Sequence, residues 1–377
     1  MSLNLSSQPF TAVDEALLQE VQEFADIFVK PNAEKWEKEH VQPELLREAI
    51  RRFSKYYIAK EFDGEAASVM TISKILEILA GADYGFAFSF HVHNAVTMVT
   101  SLSANETLRK KYLPKLMMGE MIGAFLLTEP DAGSDAASIR CRAEKRGDQW
   151  ILNGEKAWVT NAGTADLLLV FAQTGEGTKD IIGFLTERRS EGIKLVELYD
   201  MLGAHTSVTG RLQFTDCAVE DTNIAYEQGT AFRAALEGID FARFGIASMC
   251  NGALESCLEE AIQYAKERAQ FGKPIYKNQG LQWKFADKVT RLEASRLLTY
   301  QAAKKMDDGE NATLAAAHCK KFATRAAYDG VSHAMQCMGA NGLKRSYSLA
   351  RQLSALSITF NTDGTSEICN LVIGRAL

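Results

Sequence analysis

Three textures succeed one another along the chain, and their order restricts the fold more than any single motif. From Val13 to about Glu120, apolar residues recur at helical spacing, as in Leu17, Val21, Phe24, Ala25 and Phe28. Pro31 and Pro43 punctuate this zone, and Asn105–Met118 predicts a basic amphipathic helix, interrupted or restarted near Pro114. From about Met121 to Ala225, short runs such as ADLLLVFAQT, IIGFLTE, IKLVEL and GRLQFTDCAV alternate with the turn signals Asn153-Gly154, Ala162-Gly163 and Glu191-Gly192. From about Thr230 the sequence turns rich in Ala, Leu, Glu, Lys and Arg. It predicts long helices over 232–268, 281–307 and 313–337, with Asp308-Gly309 as a turn. The expected fold is mainly α with a small antiparallel β domain: helical over 1–120, β over 121–228 and a helical bundle over 229–377.

Composition removes several classes of function. A net charge of −6 disfavours nucleic acid as a partner, because phosphate binding needs a basic surface. The apolar stretches near Ile122–Leu127 and Leu167–Ala172 are too short to span a bilayer, and MSLNLSSQPF lacks a charged-then-apolar signal pattern. Seven cysteines without a C-x-x-C pair predict a reducing, cytoplasmic setting and no thiolate metal site. No His, Cys or carboxylate cluster has ligand spacing, so no metal is expected.

Four segments carry chemistry. Leu127-Thr128-Glu129-Pro130-Asp131-Ala132-Gly133-Ser134-Asp135 joins an apolar strand to a loop of small residues, whose hydroxyls and N–H groups can meet a heteroaromatic edge or a phosphate. In Asn153–Ala162, strand alternation predicts Trp158 and Thr160 on one side, an indole beside a hydroxyl. Arg268-Ala269-Gln270-Phe271-Gly272-Lys273-Pro274-Ile275, followed by Gln279, presents a guanidinium at a helix end. Gln336–Gly342 and Asp363-Gly364-Thr365-Ser366-Glu367 put a carboxylate before a final helix that Thr365 can cap. Each segment alone also fits a bland use: a surface turn, a core Trp, a helix C-cap, a solvated Asp-Gly.

Taken together and in this order, the TEPxAGSD, WVTN, RxQFGxPI and GTSEI stretches resemble the acyl-CoA dehydrogenase family over about Leu17 to Leu377. The resemblance implies an N-terminal helical domain, a middle β-barrel-like domain and a C-terminal four-helix bundle. It implies FAD, with Phe125, Leu127, Thr128, Trp158 and Thr160 lining the isoalloxazine ring and Ser134 among the cofactor contacts. Arg268, Gln270, Phe271 and Gln279 would reach the pyrophosphate and adenosine end from a neighbouring subunit, together with Gln336, Gly339 and Ala340, and Thr365 and Glu367 would complete the cofactor contacts. A homotetramer, or at least a dimer, follows. Ser134, Arg243, Thr362 and Gly364 would meet the substrate, Arg243 near its CoA end. The implied reaction is α,β-dehydrogenation of an acyl thioester, with electrons passed to a carrier such as electron-transfer flavoprotein.

The chain departs from the family pattern at the base. Asp363 stands where the family has Glu, and Ala242, before Arg243, fills the alternative base position, so Asp363 is the candidate base. Its oxygen falls short by about one C–C bond. Thr362 replaces a Tyr, Ser354-Ala355 an Arg-Asp pair, Ala340 and Leu343 a Gly and an aromatic, and Glu367 a Gln. Three alternatives keep this fold: an acyl group on a carrier protein, a nitroalkane-oxidase-like or flavin monooxygenase reaction, for which an Asp base is suggestive, and a decayed flavin-binding homologue. His91 and His93, in FHVHN, sit where an acyl tail would end. Polar groups there suit a short or functionalised chain, although satisfied helix histidines are the commoner case.

Overall fold

The computed structural model describes residues 12–42 and 44–377, so the punctuation expected at Pro43 lies outside the described residues. Helices come first: α1 (Ala12–Phe24), α2 (Ala33–Glu39), α3 (Leu45–Phe53), α4 (Val69–Ala82), α5 (Tyr84–Ser101) and α6 (Glu106–Met117). Short polar side chains cap the last three: Ser68 accepts from Thr71 N, Asp83 from Phe86 N and Asn105 from Leu108 N. Contrary to expectation, α6 runs through Pro114 unbroken. The proline forfeits only the bond its own N–H would have made to the Lys110 carbonyl, while its carbonyl still accepts from Met118 N at 3.0 Å, so the last turn closes behind it.

One sheet follows, made of β1 (Gly123–Leu126), β2 (Arg142–Arg146), β3 (Gln149–Val159), β4 (Leu167–Gln173), β5 (Ile181–Glu187), β6 (Ile193–Leu198), β7 (Gly210–Glu220) and β8 (Ile224–Tyr226). Its order is β6-β7-β3-β2-β4-β5-β8, with β1 also on β4. Pairing is antiparallel except where β4 meets β1 and β2. The continuous apolar run of β4 has a reason: the strand is buried on both sides. Its two-residue period sends Leu168, Val170 and Ala172 into the core of the sheet, and Leu167, Leu169 and Phe171 toward Val96 and Val99 of α5. Asn153-Gly154 is not a turn between strands. It lies inside β3 at an irregularity opposite β7, where a Cβ on Gly154 would fall 2.7 Å from Cys141 Cα.

The bundle comprises α7 (Ala231–Glu267), a hairpin of β9 (Ala269–Gln270) and β10 (Lys273–Pro274), α8 (Gln279–Asp307), α9 (Thr313–Cys337), α10 (Leu349–Ile358) and α11 (Ser366–Gly374). Helix α7 has 37 residues, and at 1.5 Å per residue it is about 55 Å long. Near its middle it meets α4 backbone to backbone: a Cβ on Gly252 would lie 1.8 Å from the Glu77 carbonyl oxygen. Beside this crossing, buried Arg296 of α8 donates to Glu77 at 2.7 Å and to Glu255 at 2.6 Å, tying three helices. Among the described residues no helix is long and apolar enough to cross a membrane.

The close crossing gives a stability test. Gly252→Ala should destabilise the protein by about 2 kcal/mol or more, as overpacking forces α4 and α7 apart. Gly280→Ala, at a helical position with open space, should be neutral or slightly stabilising. Thermal or urea midpoints of both variants check this; equal midpoints would mean that the crossing is slack.

Candidate active site

On the sheet side, two motif segments are stitched together. Ala157 N donates to the Thr128 carbonyl at 2.9 Å. Lys156, fully buried, donates to the Leu127 carbonyl at 2.8 Å and to Glu129 at 2.7 Å. Glu129 in turn accepts from the N–H groups of Arg140 and Cys141, at 2.6 and 2.9 Å. A buried ion pair with every partner supplied is rigid, because breaking it leaves an uncompensated charge. It fixes the loop bearing Thr128 and the exposed Ser134. Phe125 is half-buried on β1 and Leu127 buried.

Trp158 and Thr160 do not share a side as alternation predicted. Trp158 has φ 56° and lies within a register shift between Lys156 and Val159, which breaks the two-residue period. Thr160 is consequently buried, while the indole is 59% exposed and tilted against Tyr199 at 4.5 Å. A left-handed tryptophan with an exposed ring is costly without a function. Asn161, also left-handed at φ 67°, donates to the Ser89 and Gly123 carbonyls and so anchors this corner to α5 and β1.

In the helical bundle, Asp363 and Gly364 form a turn between α10 and α11 with φ 51° and 91°. Two buried cations hold its consecutive carbonyls: Arg243 Nε donates to Asp363 O at 3.0 Å, and Lys320 Nζ to Gly364 O at 2.7 Å. Burial pushes the Asp363 carboxyl up to about 6, partly offset by Lys320 and Arg243, although the residue retains some opening to solvent. Burial pushes Lys320 down. Thr365 caps α11 by accepting from Ile368 N at 3.2 Å, and Glu367 is exposed in its first turn. Thr362 spends its hydroxyl on the Ile358 carbonyl at 2.7 Å.

Arg243, expected near the CoA end, stands at the Asp363 turn. It is only 7% exposed, and besides Asp363 it donates to Asp240 at 2.9 Å. A guanidinium satisfied inside the chain is a holder of the turn. Lys156 and Lys320 escaped the sequence reading because lone lysines on amphipathic segments look like surface residues; the signal available was that Lys320 follows the small-residue run Ala315-Ala316-Ala317.

The remaining residues stand elsewhere. Arg268, Gln270, Phe271 and Gln279 are exposed around the β9–β10 hairpin, Gln336 is exposed in the last turn of α9, and Gly339 and Ala340 are exposed just after it. Phe271, at φ 51° on the hairpin tip, is 99% exposed. Arg268 is 25 residues beyond Arg243 along or just past α7, about 37 Å by helical rise. One chain therefore does not bring this set to Asp363. The fold also gathers His40, Asp200 and His205, whose ligand atoms lie within 4.8 Å of one another, a grouping invisible to linear spacing. His40 and Asp200 are exposed and nothing in the chemistry of the turn involves them.

Comparison with known proteins agrees with this architecture. Models of the acyl-CoA dehydrogenase N-terminal, middle and C-terminal domains match residues 11–120, 124–217 and 229–377. An acyl-CoA dehydrogenase of Bacillus subtilis (strain 168) is 34% identical over 365 residues, covering 95% of this chain and 96% of the relative. The butyryl-CoA dehydrogenase structure from Megasphaera elsdenii superposes with a TM-score of 0.95 at 31% identity, covering 98% of this chain and 99% of that one. The crystal structure of a prolyl acyl carrier protein oxidase gives 0.93 at 27% identity, covering 98% and 99%. The chain belongs to the acyl-CoA dehydrogenase family, FAD-dependent oxidoreductases acting on CH–CH groups. The residues present fit a flavin. An exposed indole wall, the half-buried Thr128 beside it and the fixed Leu127–Glu129 loop offer a flat apolar face with polar edges.

The clamp predicts a coupling. Lys320→Met removes a cation that favours ionised Asp363, so the pH profile of flavin reduction should move to higher pH. The variant should be about three- to tenfold slower near pH 6 and closer to wild type near pH 8. A profile superimposable on wild type would show that Lys320 is uncoupled from Asp363.

Proposed function

We propose that the chain catalyses α,β-dehydrogenation of an acyl-CoA, with Asp363 as the base. The observation that carries this reading is the Asp363–Gly364 turn, a carboxyl raised to about 6 by burial and backed by Arg243 and Lys320. Bound FAD supplies the acceptor for the β-hydride. Asp363 takes the α-proton, and a raised pKa makes its carboxylate a stronger base than a solvated one. Substrate that expels water from the turn strengthens it further. The Asp363 N–H is the chain's own donor for the thioester oxygen, which gains charge as the proton leaves. Clamping both carbonyls gives the shorter side chain a fixed origin, which matters because a misplacement near 1 Å can cost about a hundredfold.

The about 37 Å from Arg243 to Arg268 by helical rise supports a homotetramer or dimer. In it, Arg268, Gln270, Phe271, Gln279, Gln336, Gly339 and Ala340 of one copy complete the FAD site of another. The same reading takes 1–120, 121–228 and 229–377 as the three domains and an electron-transfer flavoprotein as acceptor. A reducing, cytoplasmic compartment accords with seven unpaired cysteines. Likeness to the prolyl acyl carrier protein oxidase favours a second reading, in which the acyl group rides on a carrier protein.

Anaerobic titration of the flavin absorbance with short, branched and long acyl-CoAs tests the first reading. Bleaching by any of them supports it; bleaching only by carrier-loaded acyl groups moves the function to the second. Asp363→Ala should abolish bleaching while FAD stays bound, and undiminished reduction would remove Asp363 as the base. In wild type the rate should fall as pH drops through about 6, where Asp363 takes up its proton.

A further inference from the structure

Helix α5 carries two histidines with opposite fates. His93 is satisfied: its Nδ1 accepts from Gly123 N at 3.0 Å and its Nε2 meets the Thr97 hydroxyl at 3.3 Å. His91 is equally buried, yet neither of its ring nitrogens has a hydrogen-bond partner. The Ala242 carbonyl lies beside the ring, but not in hydrogen-bonding geometry. The chain makes room for this imidazole. A Cβ on Gly245 of α7 would fall 2.1 Å from His91 Nε2, so glycine is what admits it.

A second unpartnered group adjoins it. The Tyr57 hydroxyl is buried without a partner. Its ring packs 6.4 Å from Phe241, and the His91 ring packs 5.3 Å from the same phenylalanine. Phe241, Ala242 and Arg243 are consecutive on α7, and Arg243 holds the Asp363 carbonyl. Tyr84 lies on α5 two turns before His91 and hence on the same face. Seven residues of helix put Tyr84 and His91 about 10 Å apart along that face. Buried polar groups without partners are destabilising, and two of them around one phenylalanine call for a ligand.

We infer that the acyl chain of the substrate ends in an uncharged hydrogen-bonding substituent, a hydroxyl or carbonyl, received by His91 and Tyr57 beside Phe241. This rests on the thioester reading above. Burial lowers His91 to about 4 and pushes Tyr57 up, so both are neutral, and each can donate and accept. The nearby cations Arg243 and Lys320 are committed to the Asp363–Gly364 carbonyls, leaving no counter-charge for a terminal carboxylate.

The test uses the holoenzyme and two ester series: ω-hydroxyacyl-CoAs and alkyl acyl-CoAs of equal heavy-atom count. In wild type the best hydroxyl ester should exceed its alkyl counterpart in kcat/KM by about tenfold or more. His91→Leu and Tyr57→Phe should erase that preference, chiefly through KM, while alkyl esters are little affected; His91→Asn should keep part of it. Tyr57→Phe serves if His91→Leu loses FAD or fold. Wild type preferring alkyl esters at every length, or a preference indifferent to both variants, overturns the inference. If no CoA ester bleaches the flavin, the dehydrogenase reading falls, and equilibrium binding of the same esters decides this one. Tighter binding of hydroxyl esters that His91→Leu abolishes supports it; equal binding of the two series overturns it.

Discussion

The 37-residue helix α7 is the spine on which everything else is aligned. Its first turns, at Ala231 and Ala235, pack against the sheet, and its middle crosses α4 at Gly252 without a side chain between the backbones. Its end delivers Arg268 to the hairpin. Because a helix is stiff over this length, the same element that holds the Asp363 turn also carries Arg268 away from it. The proposed division of the cofactor site between copies follows from that rigidity.

The second recurrent device is the buried cation aimed at oxygen. Lys156 secures the Leu127–Glu129 loop, Arg243 and Lys320 the Asp363–Gly364 turn, and Arg296 the junction of α4, α7 and α8. Each would be costly if left alone, and each finds a carbonyl or a carboxylate, so it makes its surroundings specific more than it makes them stable. At the turn the device also acts on a titratable group: burial raises the Asp363 carboxyl and the two cations restrain that rise.

Much of this was legible in one dimension. The period change near Met121 and again near Thr230 announces helices, sheet and helices, and α7, α8 and α9 begin and end within two residues of the expected spans. Thr365 as a helix cap and Arg268 at a helix end were legible because capping is local chemistry. Three local rules were overruled. Pro114 is absorbed by the last turn of α6, Asn153-Gly154 serves a bulge within β3, and the left-handed backbone at Trp158 turns the indole outward while burying Thr160. In each case the neighbouring strand or helix end decided what the dipeptide could do.

The sequence by itself determined which residues are available: an Asp before Gly-Thr, an indole in a WVTN strand, a TEPxAGSD loop and the short β-rich runs. These follow from periodicity and from residue chemistry, which act over a few positions. Only the tertiary structure decided their partners. Arg243 holds the Asp363 carbonyl, Lys320 comes from a different helix to hold Gly364, and His91 is left unpaired while His93 is satisfied. Burial and hydrogen bonding between segments 30 to 120 residues apart set those outcomes, and no local pattern encodes which buried polar group will find its match.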